Sequence, residues 1–268
     1  MMNYFANKEA LSQKAIFKTK ERAREYAAEI ENSINKTTIF SGDIYTTTPD
    51  SKLHTPDMSV VKADSVSTIF KYTTDSERVC VLNFASFKNP GGMFINGSSA
   101  QEESLCHASI LYNVLREFPE YYDKNNKDKN RGLYHNRALY SEDVVFFDNT
   151  NDPDKVGEMR LVDVLTCAAP NAGCFLRYNT GEGAIALNEH ILADRIVFMH
   201  TILNNAVNRL GLDTVILGAW GCGVFRQNPR TVANLMMTEF KSTQLKRVIF
   251  GVPDDGTYAI FANALKLI

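Results

Sequence analysis

Histidine and cysteine are both scarce in this chain, with five of each in 268 residues. Cysteines 80, 106, 167, 174 and 222 are odd in number, scattered and without a CxxC pair, which argues against a disulfide framework and a zinc site. Histidines 54, 107, 135, 190 and 200 form no cluster with acids at ligand spacing, so no metal and no cofactor is expected. Charge of one sign is lacking as well: the formal net charge is −2. There is no overall basic field for sequence-independent binding to nucleic-acid phosphates, which leaves room only for a local basic groove. No apolar run approaches the ~18 residues that span a bilayer, and the first residues carry no secretory pattern. The expectation is a soluble, cytoplasmic protein in a reducing setting. No internal repeat is visible, and the first strand and turn carry no GxGxxG, which excludes a Rossmann reading by position.

What is present fits one large core. Hydrophobic residues make up 44% and charged residues 22%, which suits a single main domain with an appended helical segment. Residues 8–32 are rich in Ala, Glu, Lys and Arg with a partial apolar stripe, so residues 1–36 are read as an N-terminal helical extension packed on a domain of residues 37–268. Strands are expected at 38–40, 59–63, 79–85, 144–147, 164–169, 214–217 and 248–250, and helices at 105–115, 187–210 and 229–240. The Thr/Ser/Asp/Pro-rich stretch between the first two strands reads as loop, and polar 119–132 as a mobile surface excursion. Strands alternating with helices indicate a mainly parallel sheet covered on both faces, an α/β/α sandwich.

The run from Asn89 through Pro90, Gly91, Gly92 and Met93 to Gln101, Glu102 and Glu103 concentrates the chemistry. Glycines let backbone amides approach a phosphate or ribose without a Cβ in the way, and two adjacent carboxylates follow shortly after. Ser99 with Glu102 fits a capping box at a helix start, which gives Glu102 a purely structural alternative. Glu103 has only that of a solvated first-turn acid. Consecutive helical residues project about 100° apart, so the two acids divide their labour. A second loop, Gly218 to Phe225, follows an apolar strand, and free amides there suit a diphosphate.

The string NPGGMFINGSSAQEESL resembles the signature of the bacterial-type poly(ADP-ribose) glycohydrolases of the macrodomain superfamily. The blocks 163–171, 217–225 and 248–254 are similar to later family blocks. The resemblance implies a three-layer α/β/α macrodomain fold, with the helical N-terminus also family-like. It implies hydrolysis of a ribose–ribose O-glycosidic bond in poly(ADP-ribose), or of a related O-linked conjugate, releasing ADP-ribose. ADP-ribose, its polymer and ADP-ribosylated proteins are then the expected partners. Glu103 becomes the proton-transferring acid and Glu102 the group on the ribose hydroxyls. Asn89 and the Gly91 and Gly92 amides would hold the same sugar, Gln101 would be a further substrate-binding residue, and Gly221, Cys222, Gly223, Val224 and Phe225 would hold the diphosphate and the distal ribose.

Cleaving such a bond develops positive charge at the anomeric carbon and negative charge on the leaving oxygen, so a carboxylic acid beside that oxygen lowers the barrier. A neighbouring carboxylate and a bound diphosphate help such an acid keep its proton near neutrality. One departure stands out: Met93 occupies the family's third glycine position. If that position needs positive φ, methionine is strained, and the chain becomes an ADP-ribose-binding module with weak or no turnover. Alternatively the thioether turns into an apolar gap. An unrelated phosphate-binding α/β protein is the third reading. Cys106-His107 reads as an ordinary buried thiol and neighbour rather than a nucleophile and base. Arg177-Tyr178 and Asp254-Asp255 are either lining for an adenosine pocket or solvated loop.

Overall fold

A computed structural model describes residues 2–44, 52–148 and 157–268. Seven strands form one sheet in the order β1-β4-β5-β3-β6-β7-β2, namely β1 (Thr38–Ser41), β2 (Asp57–Val61), β3 (Val79–Phe84), β4 (Arg137–Phe147), β5 (Met159–Cys167), β6 (Thr214–Gly218) and β7 (Arg247–Gly251). The pairings of β5, β3, β6, β7 and β2 are parallel, while β1 and β4 add an antiparallel edge. The central strand β3 is buried throughout except at its last residue, Phe84. Its residues alternate between two cores: Cys80 and Leu82 face one, Val79 and Val81 the other. This period-two division is what sandwiches a sheet between helices.

On the first face lie α8 (Glu182–Leu210), α9 (Pro229–Phe240) and α10 (Asp255–Leu265), contributing Leu192, Met199, Val232, Met236 and Phe261 to the core. The second face carries α3 (Ser65–Tyr72), α4 (Gln101–His107), α5 (Leu111–Leu115) and α6 (Pro119–Lys127), through Ile69, Leu105, Val114 and Tyr121. The three-layer expectation holds. The N-terminal segment is two helices, α1 (Met2–Glu25) and α2 (Ala27–Asn35), broken at Tyr26, whose φ and ψ are −121° and 34°. The expected single helix over 105–115 is likewise two, because the chain turns at Ala108 to Ile110 to bridge Ser109 to Phe146 of β4.

Residues 119–132 differ most from expectation. They form α6 and a short 3-10 turn, with Tyr121, Tyr122 and Asn125 buried. Asn125 Nδ2 donates to the Phe87 carbonyl at 2.9 Å and Asn126 Nδ2 to that of Lys88 at 3.1 Å. The supposed excursion therefore fastens the chain just ahead of the first glycine loop. Helices α3 and α10 were not foreseen; each opens on an aspartate N-cap, Asp64 accepting from Ser67 N and Asp254 from Thr257 N. Of the stretch read as loop between β1 and β2, residues 45–51 lie outside the described residues. Among the described residues no helix is long and apolar enough to cross a membrane.

Candidate active site

Parallel strands β3 and β6 end side by side, and the two glycine loops leave from those ends. After β3 the chain turns through Gly91 and Gly92, at φ +64° and +62°. A Cβ on Gly91 would stand 2.7 Å from Tyr112 Cδ2. One on Gly92 would stand 2.6 Å from Glu103 Oε1 and 2.9 Å from Glu102 Oε2. Both the conformation and the contact demand glycine here, and the second shows where the acids point: into the loop. Met93 needs no such freedom. Its φ is −111°, and its side chain is 43% exposed rather than tucked into an apolar gap. The strain anticipated for a methionine at this position is absent.

Glu102 and Glu103 occupy the first turn of α4 and are only 3% and 5% exposed. Neither is a solvated first-turn acid. Glu103 Oε1 accepts the Met93 amide at 2.9 Å, and Oε2 reaches back to the Ala100 amide at 3.0 Å. The cap therefore sits at Ala100 and is made by Glu103, one position on from the expected Ser99 with Glu102. Glu102 turns instead toward the sheet, accepting from Ser86 N at 2.7 Å and Asn83 Nδ2 at 3.2 Å. Burial pushes its carboxyl up to about 8, against the pull of the Ser86 and Asn83 hydrogen bonds. Burial thus favours its protonated form, which has an O–H to offer a ligand hydroxyl.

Gln101 is engaged within the fold. Its Oε1 accepts from Phe84 N, and Nε2 donates to Ser65 Oγ and the Leu82 carbonyl, all at 2.9 Å. It locks the start of α4 to the end of β3 while still lining the cleft. Asn89 is exposed, its amide donating to Ser86 Oγ at 3.2 Å and its carbonyl accepting from Gly92.

The second loop is pinned from below. Trp220 Nε1 donates to the Cys167 carbonyl at 2.9 Å, and buried Gln227 donates to the Pro170 carbonyl at 2.7 Å. Gly221, at φ +76°, lies against Ala169, where a Cβ would come within 2.7 Å. Gly221, Gly223, Val224 and Phe225 line a 190 Å³ cavity together with Ala100 and Gln101 of the first loop. Ala100 and Gln101, at the start of α4, therefore share this cavity with the second loop, while Asn89, Gly91, Gly92, Glu102 and Glu103 are not in its lining. Cys222 is half-buried and outside that lining, its thiol pushed up to about 12 by burial. A second lobe of 280 Å³ shares Phe84, Ala100, Gln101 and Ala219, and extends to Asp64, Ser65, Val66, Gly251 and Pro253.

Several contributors had no strong sequence signal. Asn83 sits fully buried in an apolar strand, bridging Glu102 and Thr166. Arg22 of α1 is buried and donates to the carbonyls of Cys106 (2.8 Å), His107 (2.6 Å) and Ser109, closing the end of α4 opposite the acids. Burial draws its guanidinium down to about 10, so it remains charged near neutrality. The Asp64 to Val66 lining belongs to the unforeseen α3. Asp254 and Asp255 line neither lobe; the first caps α10 and the second pairs with Lys62. Burial raises the Cys106 thiol well above its usual range and pushes His107 down to about 4, in keeping with a structural thiol and a neutral ring.

The chain is similar to solved structures over nearly its whole length. A poly(ADP-ribose) glycohydrolase from Thermomonospora curvata superposes with a TM-score of 0.78 at 23% identity, covering 96% of this chain and 99% of that one. The same protein bound to the inhibitor ADP-HPD gives 0.77 at 24%, with 95% and 99% covered. The Deinococcus radiodurans poly(ADP-ribose) glycohydrolase in complex with ADP-ribose gives 0.73 at 25%, with 89% and 97% covered. No curated protein sequence matches significantly. The family model described as microbial-type PARG, catalytic domain, matches residues 6–149, more than half of the chain and including both acids. The chain belongs to the microbial-type poly(ADP-ribose) glycohydrolase family.

Proposed function

We propose that this protein hydrolyses the ribose–ribose O-glycosidic bond of poly(ADP-ribose) and releases ADP-ribose. The observation that carries the reading is the seat of Gly92 against both buried carboxylates, beside a cleft whose far wall is the second glycine loop. A diphosphate fits over the amides of Gly221 to Phe225, and the adenosine extends into the lobe lined by Asp64, Val66 and Pro253. The distal ribose then lies between Phe225 and the Gly91-Gly92 turn.

Glu103 is the acid that gives a proton to the leaving oxygen as the anomeric carbon takes on oxocarbenium character. As a carboxylate it then activates the water that attacks that carbon. Its two backbone donors, Met93 N and Ala100 N, fix its position without any other side chain. Glu102 binds ribose hydroxyls and orients the sugar. The binding-module reading loses its motive because Met93 sits at negative φ with its side chain directed outward.

Incubation of the purified protein with labelled poly(ADP-ribose) tests the reading. Release of ADP-ribose by the natural chain, and a loss of at least about 10³-fold in Glu103→Gln with ADP-ribose binding retained, is the expected outcome. Undiminished turnover by that variant would refute the assignment of the acid.

A further inference from the structure

Beyond Phe225 lies a cavity of about 470 Å³ that belongs to neither lobe. Lys88, Lys129, Arg131, Tyr134, Asn171 and Tyr178 are among its lining residues. It begins where the cleft ends. Tyr134 stands edge-on to Phe225 with ring centroids 5.9 Å apart and stacks on Phe87 at 4.0 Å. Lys88 directly precedes Asn89 at the entrance to the first glycine loop.

The cavity's charge is one-sided. Three cations line it and no carboxylate does. Among the described residues none of the three makes an ion pair, and the adjacent acid Asp128 is engaged by His135 at 2.9 Å. Tyr178 is 79% exposed, its ring standing uncovered at the rim. The wall between is held in an uncommon backbone: Asn130, Arg131, Gly132 and Tyr134 all have positive φ, at 42°, 54°, 97° and 61°. Non-glycine residues persist there only when their surroundings over-determine them. Asn130 Nδ2 donates to the Tyr134 carbonyl, Asn171 N to that of Gly132, and buried Arg195 to that of Leu133.

We infer that this cavity binds the leaving half of the substrate, the adenosine 5′-diphosphate portion of the next polymer unit. The inference rests on the reading under Proposed function. When the bond at the distal ribose breaks, the oxygen that accepts the proton from Glu103 is the 2′-oxygen of the neighbouring adenosine. That adenosine carries a purine and a diphosphate with two negative charges. Lys88, Lys129 and Arg131, which make no ion pair among the described residues although Arg131 also lies over the Phe175 ring at 5.6 Å, answer the diphosphate, and the uncovered ring of Tyr178 offers a face to the purine. A leaving group without a diphosphate, such as an amino-acid hydroxyl, gains nothing from this cavity. The site thereby prefers polymer to a single ADP-ribose on protein.

Calorimetry in the Glu103→Gln background tests this with three probes: ADP-ribose, its 2′-linked dimer and a peptide-linked ADP-ribose. The dimer is expected to bind at least tenfold more tightly than ADP-ribose. Lys129→Glu combined with Arg131→Glu, both at exposed positions, should reduce that advantage below twofold and leave ADP-ribose affinity unchanged, with the melting temperature lowered only by loss of the Arg131 contact over the Phe175 ring. Equal affinities for dimer and monomer, or an advantage that survives the charge reversal, overturn the subsite alone. So does an equal loss for the peptide-linked probe, which would assign the cavity to an acceptor protein. Failure of ADP-ribose itself to bind overturns the underlying function as well.

Discussion

Replacing Gly92 by alanine puts the geometry of the acids to its most direct test. The new Cβ would stand 2.6 Å from Glu103 Oε1 and 2.9 Å from Glu102 Oε2, where ordinary contact begins near 3.4 Å. One oxygen must retreat by about 0.8 Å and the other by about 0.5 Å. Glu103 Oε1 has little freedom to do so, since it accepts the Met93 amide at 2.9 Å. Leaving the Met93 amide without its acceptor costs about 1–3 kcal/mol, and alanine at φ +62° adds about 1 kcal/mol. Together these predict a melting temperature lower by roughly 5–15 °C. The effect on turnover is larger: displacing a reacting group by about 1 Å costs on the order of 100-fold. Gly211→Ala is the matched control, because Gly211 has φ +71° and nothing within 4 Å of its would-be Cβ. It should lose about 1 kcal/mol of stability and no kcat. Denaturation and polymer hydrolysis on the two variants decide the matter. Natural kcat in Gly92→Ala, or equal losses in both, would show that the glycine does not hold the acids in place.

The remaining expectations concern the surroundings of the acids. Arg22→Met leaves the carbonyls of Cys106, His107 and Ser109 without their donor, so stability should fall by about 3–5 kcal/mol by thermal denaturation; a shift of under 1 kcal/mol would refute the contact's importance. For Glu102, a folded value of about 8 against 4.5 for the free side chain means that the folded protein keeps a proton which the unfolded chain has released. That contribution is whole below pH 4.5 and is lost as pH rises through 8, amounting to on the order of 5 kcal/mol. Glu102→Gln should flatten this decline between pH 5 and 8.5, and parallel stability curves for the two proteins would contradict it. Met93→Gly should change kcat by less than about threefold and cost up to about 1 kcal/mol of stability, because the position already has negative φ; a large gain in turnover would revive the binding-module reading.

Features that act locally could be read from the sequence. A glycine pair followed by Gln-Glu-Glu marks a close approach because the constraint lies within one loop and the helix that follows it, and the continuous apolar run at Val79 to Phe84 marks a buried strand. Long-range partners were what remained hidden. Asn83 looks like an interruption in an apolar strand until Glu102 and Thr166 are brought to its amide. Arg22 sits among surface-like helical charges, and only its seat on the carbonyls of α4 distinguishes it. The polar composition of 119–132 conceals Tyr121, Tyr122 and Asn125, which lie on the inward side of α6. The shift of the cap from Ser99 to Ala100 has a similar origin. A hydroxyl marks a helix start in sequence, but the carboxylate of Glu103 reaching back to Ala100 N is what sets it.

The insertion of β3 between β5 and β6 has a consequence for the growing chain. Both acids emerge early during synthesis, yet the opposite wall of their cleft waits for β6 to dock and carry the Gly221 turn into place. A nascent chain paused anywhere before that strand carries both carboxylates without the second glycine loop. Assembly of the cavity thereby depends on the β3–β6 pairing, with β7 still to add on the far side of β6.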